Sequence, residues 1–183
     1  AKLKRGITKV KDPGSALTHF IAMILAIIAA IPLLSKAGHD SGHMHISALA
    51  IFILSMIGLY AASTIYHTLD ISPKINKLLR KIDHMMIFIL IAGTYTPVCM
   101  IVLGDKTGWT MLTLVWGIAI VGILINALWI TCPKWFSSLI YIAMGWVCIL
   151  AITKILSSMP RAGFMWLLAG GIIYTVGGII YAM

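Results

Sequence analysis

The chain has 183 residues, 61% of them hydrophobic and 10% charged, with a mean hydropathy of +1.02. That profile excludes a soluble domain, and its apolar runs of roughly 20 residues are each long enough to cross a ~30 Å hydrocarbon core as a helix. The formal charge of +9 does not point to nucleic acid, because Lys and Arg are confined to one tail and short connections, as membrane topology produces.

Residues 1–14 read as a basic tail carrying Lys2, Lys4, Arg5, Lys9 and Lys11, suited to lie against anionic lipid heads. No secretory signal is expected, since the first apolar stretch is too long and lacks a small-residue cleavage site. Residues 15–183 form the transmembrane helical domain. Asp12-Pro13 supplies an N-cap followed by proline at the first helical position, with Ser15 as an alternative cap. The first helix is expected at about 15–36, with Pro32 near its end. Gly38 to His45, with His39, Asp40, His43 and His45, is read as a solvated turn.

The second helix is expected at about 46–69 and carries Ser63 and His67, four apart and therefore on one face. A basic loop follows, with Ser72-Pro73 and Lys74, Lys77, Arg80 and Lys81. The third helix, about 83–103, opens on Asp83-His84 and contains Gly93-Thr94-Tyr95-Thr96-Pro97. Pro97 should bend it at Gly93, with the Thr94 or Thr96 hydroxyls serving the freed backbone. Helices four to six are expected at about 109–130, 136–156 and 163–183. Trp109, Trp129 and Trp135 fall near their boundaries, where indoles favour the membrane interface. In the sixth, Gly170-Gly171 and Gly177-Gly178 recur seven residues apart and should form a groove for close helix packing. Cys99, Cys132 and Cys148 are scattered in depth, which suits packing better than disulfides or a cysteine zinc site.

With the N-terminus inside, Lys and Arg divide into ten (the five of the tail, the four of the basic loop and Lys134) against Lys36, Lys106, Lys154 and Arg161. The positive-inside rule then places His67 and Asp83 toward the cytoplasmic face. If helices two and three are antiparallel neighbours, His67 and Asp83 share a depth. A carboxylate facing an imidazole at the edge of hydrocarbon suits a metal or an acid–base site, where unpaired polar groups would otherwise cost several kcal/mol. There is no Gly-x-Ser-x-Gly elbow and no phosphate loop, which disfavours a serine hydrolase or nucleotide enzyme of familiar type.

Ser63-x-x-x-His67, Asp83-His84-x-x-Ile87-Phe88, Ala92-Gly93-Thr94-Tyr95-Thr96-Pro97 and Gly145-Trp146 together resemble the bacterial haemolysin III proteins. Those are related to the adiponectin and progestin receptors and more distantly to the alkaline ceramidases. The resemblance runs from about Ser15 onward. It implies a seven-helix bundle in the bacterial cytoplasmic membrane with the N-terminus inside. It also implies a zinc ion held by His67 and by two histidines of a seventh helix, with Ser63 and Asp83 completing the polar cluster. The sequence in hand ends after six expected helices, so those two histidines are not in it. His19 and His84 are the local candidates to replace them; successive residues on a helix point about 100° apart, so His84 and Asp83 do not easily share one metal, and His19 is read as bonded to a backbone carbonyl.

The activity implied is hydrolysis of amide or ester bonds in membrane lipids, of a ceramide-like kind. Zinc would polarise the carbonyl and acidify its water, Asp83 would take the proton, and Ser63 would orient a ligand or oxyanion. The alternative is a non-enzymatic protein, either a pore-forming haemolysin or a regulator of membrane state. The expected partners are membrane lipid and a zinc ion.

Overall fold

The computed structural model describes residues 10–40, 42–129 and 133–183. The tail residues Lys2, Lys4, Arg5 and Lys9, as well as Cys132, lie outside the described residues. Helix α1 is Pro13–Asp40, α2 is His43–Thr68, and α3 is Pro73–Pro97, prolonged by a π-helical stretch Val98–Leu103. Helix α4 is Lys106–Leu128. Helix α5, Lys134–Gly145, continues through a 3-10 stretch Trp146–Ala151 into α6, Ile152–Ser158, and α7 is Arg161–Ala182. Among the described residues six spans are long and apolar enough to cross a membrane, the fifth combining α5 and α6. The protein is an all-α, polytopic helical bundle.

Several helices are longer than the sequence reading placed them, because local capping recruits polar residues into them. Helix α1 starts at Pro13, where the missing N–H of proline costs nothing, and Ala16 N–H donates to the Asp12 carbonyl at 2.9 Å. The expected turn from Gly38 to His45 shrinks to a sharp reversal at Gly42, whose φ of 78° is a conformation that glycine adopts freely. His39 thus falls in the last turn of α1, and His43 and His45 open α2.

The expected basic loop is also helical. Ser72 caps α3 by accepting from Ile75 N–H at 3.3 Å, and Pro73 starts the helix. Asn76 ties the preceding turn down, accepting from Ile71 N–H and donating to Asp70. Lys74, Lys77, Arg80 and Lys81 therefore ride on the first turns of α3, and Lys81 Nζ reaches the Ala127 carbonyl at the end of α4. Asp83 consequently sits well inside α3 and is buried.

The buried core is centred on α3, with Phe88, Ile91, Ala92 and Tyr95 meeting Met111, Val115 and Ala119 of α4 and Tyr141 and Met144 of α5. On its other side α3 packs against α2, and α2 against α1. Close approach of α2 and α3 depends on Gly93: a Cβ there would collide with Ser55 Oγ and lie 2.8 Å from Ser55 Cβ. Beyond Pro97 the helix widens into the π stretch, which ends at Gly104. The Thr94 and Thr96 hydroxyls donate to the Ile91 and Ala92 carbonyls, two residues and one residue short of Gly93 respectively.

Tyr95 explains the break in the fifth span. Its hydroxyl donates to the Gly145 carbonyl at 2.6 Å and accepts from Cys148 N–H at 2.9 Å, which satisfies backbone groups freed where α5 tightens into the 3-10 stretch. At the opposite end from His67, Asp105 caps α4 through Thr107 and Gly108 N–H and pairs with Lys154, which also reaches Thr107 Oγ1. The Lys154 ammonium and the Gly108 amide hold the Asp105 carboxyl below the usual carboxylate range. Trp109, Trp129 and Trp135 lie exposed at helix ends.

Helix α7 departs from the expected close packing. Of its paired glycines, Gly178 meets Ile142 and Ser138 of α5, whereas a Cβ at Gly170, Gly171 or Gly177 would touch nothing within 4 Å. A seven-residue step returns to nearly the same face, yet only Gly178 of the four lies under a neighbouring side chain of α5. The helix is held instead by Ser138 Oγ donating to the Gly178 carbonyl, by Trp146 Nε1 donating to Thr175 Oγ1, and by Tyr181 against His84.

Replacing Gly93 by alanine should destabilise the bundle by about 1–3 kcal/mol, the usual cost of overpacking, read as a lower Tm in detergent. The double variant with Ser55→Gly should recover most of the loss. An unchanged Tm for Gly93→Ala contradicts the close α2–α3 contact.

Candidate functional site at the His67 end of the bundle

The end of α2 carries the site. A helix leaves its last carbonyls without intrahelical donors. Here two of them are served by the chain entering α1: Lys11 N–H donates to the Thr68 carbonyl at 3.4 Å and Asp12 N–H to the His67 carbonyl at 2.9 Å. The Lys11 ammonium rests 3.6 Å from the centroid of the Tyr66 ring, a cation–π contact. This short segment turns the Asp12 carboxylate onto the imidazole, with Oδ2 3.0 Å from His67 Nδ1. Asp12 stands at the N-cap position as expected, but its carboxylate is spent on His67.

His67 is further boxed by rings. His19, one and a half turns into α1, stacks on it with centroids 5.7 Å apart and planes at 18°. Tyr66 meets it edge-on at 4.8 Å, and Tyr60 stands behind His19 at 5.9 Å. His19 also lies within Coulombic range of Asp83. Ser63 is one turn deeper than His67 on α2 and, like Asp83, is buried. The structure thus brings His67 and His19 together, sets Asp83 within Coulombic range of His19, and places Ser63 on the same face of α2 as His67.

One expectation is corrected, for His19, and His84 lies apart from His67 as the sequence reading had it. His19, assigned there to a backbone carbonyl, instead stacks on the imidazole of His67. His84 belongs to a different cluster, where Tyr181 OH is 3.1 Å from its Nε2 and Tyr141 OH donates to its carbonyl. Sequence reasoning missed Asp12 as a partner of His67, because the Asp-Pro pair was fully accounted for as a helix start. The one available signal was an acidic residue among five basic ones at the membrane edge.

The donor set can be weighed against zinc. Among the described residues no three His, Cys, Asp or Glu side chains converge closely enough to hold a metal ion. His67 has Nδ1 engaged by Asp12 and offers Nε2 alone, and stacked rings do not aim two nitrogens at one point. A structural or catalytic zinc needs three or four protein ligands. The described residues therefore do not make a zinc site by themselves. What they do make is a half-buried imidazole held in orientation by Asp12 and stacked on a second histidine, on a helix that also carries the buried Ser63 one turn away.

Comparison with known proteins supplies the family. The family model for haemolysin-III related proteins matches residues 7–183. The chain belongs to the haemolysin III family. It is 39% identical over 181 residues to the protein named Hemolysin-3 of Bacillus cereus, spanning 98% of this chain and 82% of that one. It is 37% identical over 171 residues to the Hemolysin-3 homolog of Bacillus subtilis, spanning 93% of this chain and 80% of the relative. This haemolysin III family member is a multi-pass membrane protein.

Proposed function

We propose that this family member is a hydrolase acting on amide or ester bonds of membrane lipids. The observation that carries this reading is an oriented His67 at the end of α2, stacked on His19, with a buried Ser63 one turn away on the same helix and a buried Asp83 within Coulombic range of His19. Buried polar groups at a membrane edge are costly, and side chains able to exchange protons are what a hydrolytic site needs. In this reading Asp83 takes the proton of the attacking water, and Ser63 orients the carbonyl oxygen or the oxyanion it becomes. Zinc is proposed as the cofactor, with Nε2 of His67 as the ligand atom and its other ligands supplied from beyond the described residues.

A second reading, membrane permeabilisation without chemistry, draws support from the name Hemolysin-3 carried by the Bacillus cereus relative. Asp83→Asn in the purified full protein separates the two, because asparagine keeps the shape of the side chain but accepts no proton. Hydrolysis of lipid amides or esters should fall ~10²–10⁴-fold, the usual worth of a general base, while bound zinc and Tm stay near wild type. His67→Ala should lower bound zinc severely and His43→Ala should not. Unchanged hydrolysis per folded molecule removes Asp83 as the base, and equal zinc in wild type and His67→Ala removes the metal. Ion flux from vesicles with no turnover of any lipid decides for permeabilisation.

The orientation proposed is N-terminus inside, in the cytoplasmic membrane, supported by the excess of Lys and Arg on the His67 side of the bundle. Both His43 and Lys77 are exposed. With the native cysteines replaced, His43→Cys should react with an impermeant thiol reagent applied to whole cells and Lys77→Cys should not. The reverse pattern contradicts the orientation.

A further inference from the structure

We propose that Asp12 is the positioning residue of His67, holding its imidazole as the Nδ1–H tautomer with a bare Nε2. This deepens the functional reading above and rests on His67 being part of that site. The neutral imidazole carries one N–H and one lone pair, and the partner of one nitrogen decides what the other can do. A carboxylate accepts and cannot donate, so Oδ2 of Asp12 at 3.0 Å from Nδ1 leaves the proton on Nδ1. Nε2 is then the atom that accepts a proton or takes a metal ion.

The carboxylate is itself preset. Asp12 N–H is bonded to the His67 carbonyl, and Lys11 N–H to that of Thr68, so two consecutive amides fix the backbone from which the Asp12 side chain projects. Asp12 and His67 are therefore joined twice, main chain to main chain and side chain to side chain. A flip about χ2 would break the second bond by putting a carbon where Nδ1 stands, and the angles passed through on the way would tilt the imidazole out of its stack with His19 and off the edge of Tyr66. His67 is 21% exposed against 49% for Asp12, so the carboxylate is the more accessible member of the pair. The tautomer is thus set by the more accessible partner, and the free nitrogen is directed away from Asp12.

Side-chain ¹⁵N NMR of the full chain tests this directly. With labelled histidine, at a pH where the ring is neutral, the His67 signals assigned through bonds from its backbone should show a protonated Nδ1 and an unprotonated Nε2. Asp12→Ala should move His67 toward the Nε2–H form that free imidazole side chains favour in water. Lys11→Ala, which removes the contact with Tyr66 but keeps the carboxylate, should retain the wild-type tautomer. Asp12→Ala should also lower hydrolysis ~10–100-fold, the usual cost of losing such a partner. An Nε2–H tautomer in the wild-type protein overturns the proposal whatever the lipid assay shows. An Nδ1–H tautomer in wild type that persists unchanged in Asp12→Ala overturns it as well. An Nδ1–H tautomer that depends on Asp12, in a protein that turns over no lipid, upholds the positioning and removes only the hydrolase reading.

Discussion

The junction between the entering chain and the end of α2 is the constraint on which the candidate site depends. One residue, Asp12, has all three of its polar groups committed there: its N–H to the His67 carbonyl, its carbonyl to Ala16 at the start of α1, and its carboxylate to the His67 ring. Each such bond contributes only about 1 kcal/mol net. Together they pin the start of α1 against the end of α2, and one and a half turns further along α1 His19 stacks on His67. The polar cluster is therefore a product of how two helices are joined as much as of which residues they carry.

The remainder of the bundle is organised differently, around a buried α3. Gly93 lets α2 approach, Phe88 and Tyr95 fill the space toward α4 and α5, and the Tyr95 hydroxyl repairs the backbone where the fifth span breaks at Gly145. Helices α1 and α7 contribute little to this core: α1 packs on α2 and α7 on the fifth span, each with most of its apolar surface facing outward. In lipid such faces carry no hydrophobic penalty, so shape and hydrogen bonds, not burial, hold α7 in place. The Ser138, Trp146 and Tyr181 contacts are of that kind.

Much of this architecture was legible in the sequence, because a membrane reduces fold prediction to finding long apolar runs. Six spans follow from composition, and Pro13, Gly42 and Pro97 mark real starts, reversals and distortions. Helix ends were less legible. Polar residues such as His43 and Lys74 read as loop, yet the caps at Ser72 and Gly42 draw them into helices, where charge at a helix end costs little in the interfacial zone. Ser63, His67 and Asp83 could be singled out as polar groups in apolar surroundings. Their neighbours could not: the His19 stack and the Asp12 carboxylate depend on tertiary geometry, and the glycine pairs of α7 carry the same local pattern whether or not a neighbour covers them.

The claim that the Lys11–Asp12 segment closes onto the end of α2 is tested most directly by amide hydrogen exchange on the full chain in a membrane mimetic. The Asp12 amide should be protected to a degree comparable with that of Ala16, the residue whose N–H opens α1. Exchange of the Asp12 amide at the rate of an unpaired segment, with Ala16 still protected, would contradict the account.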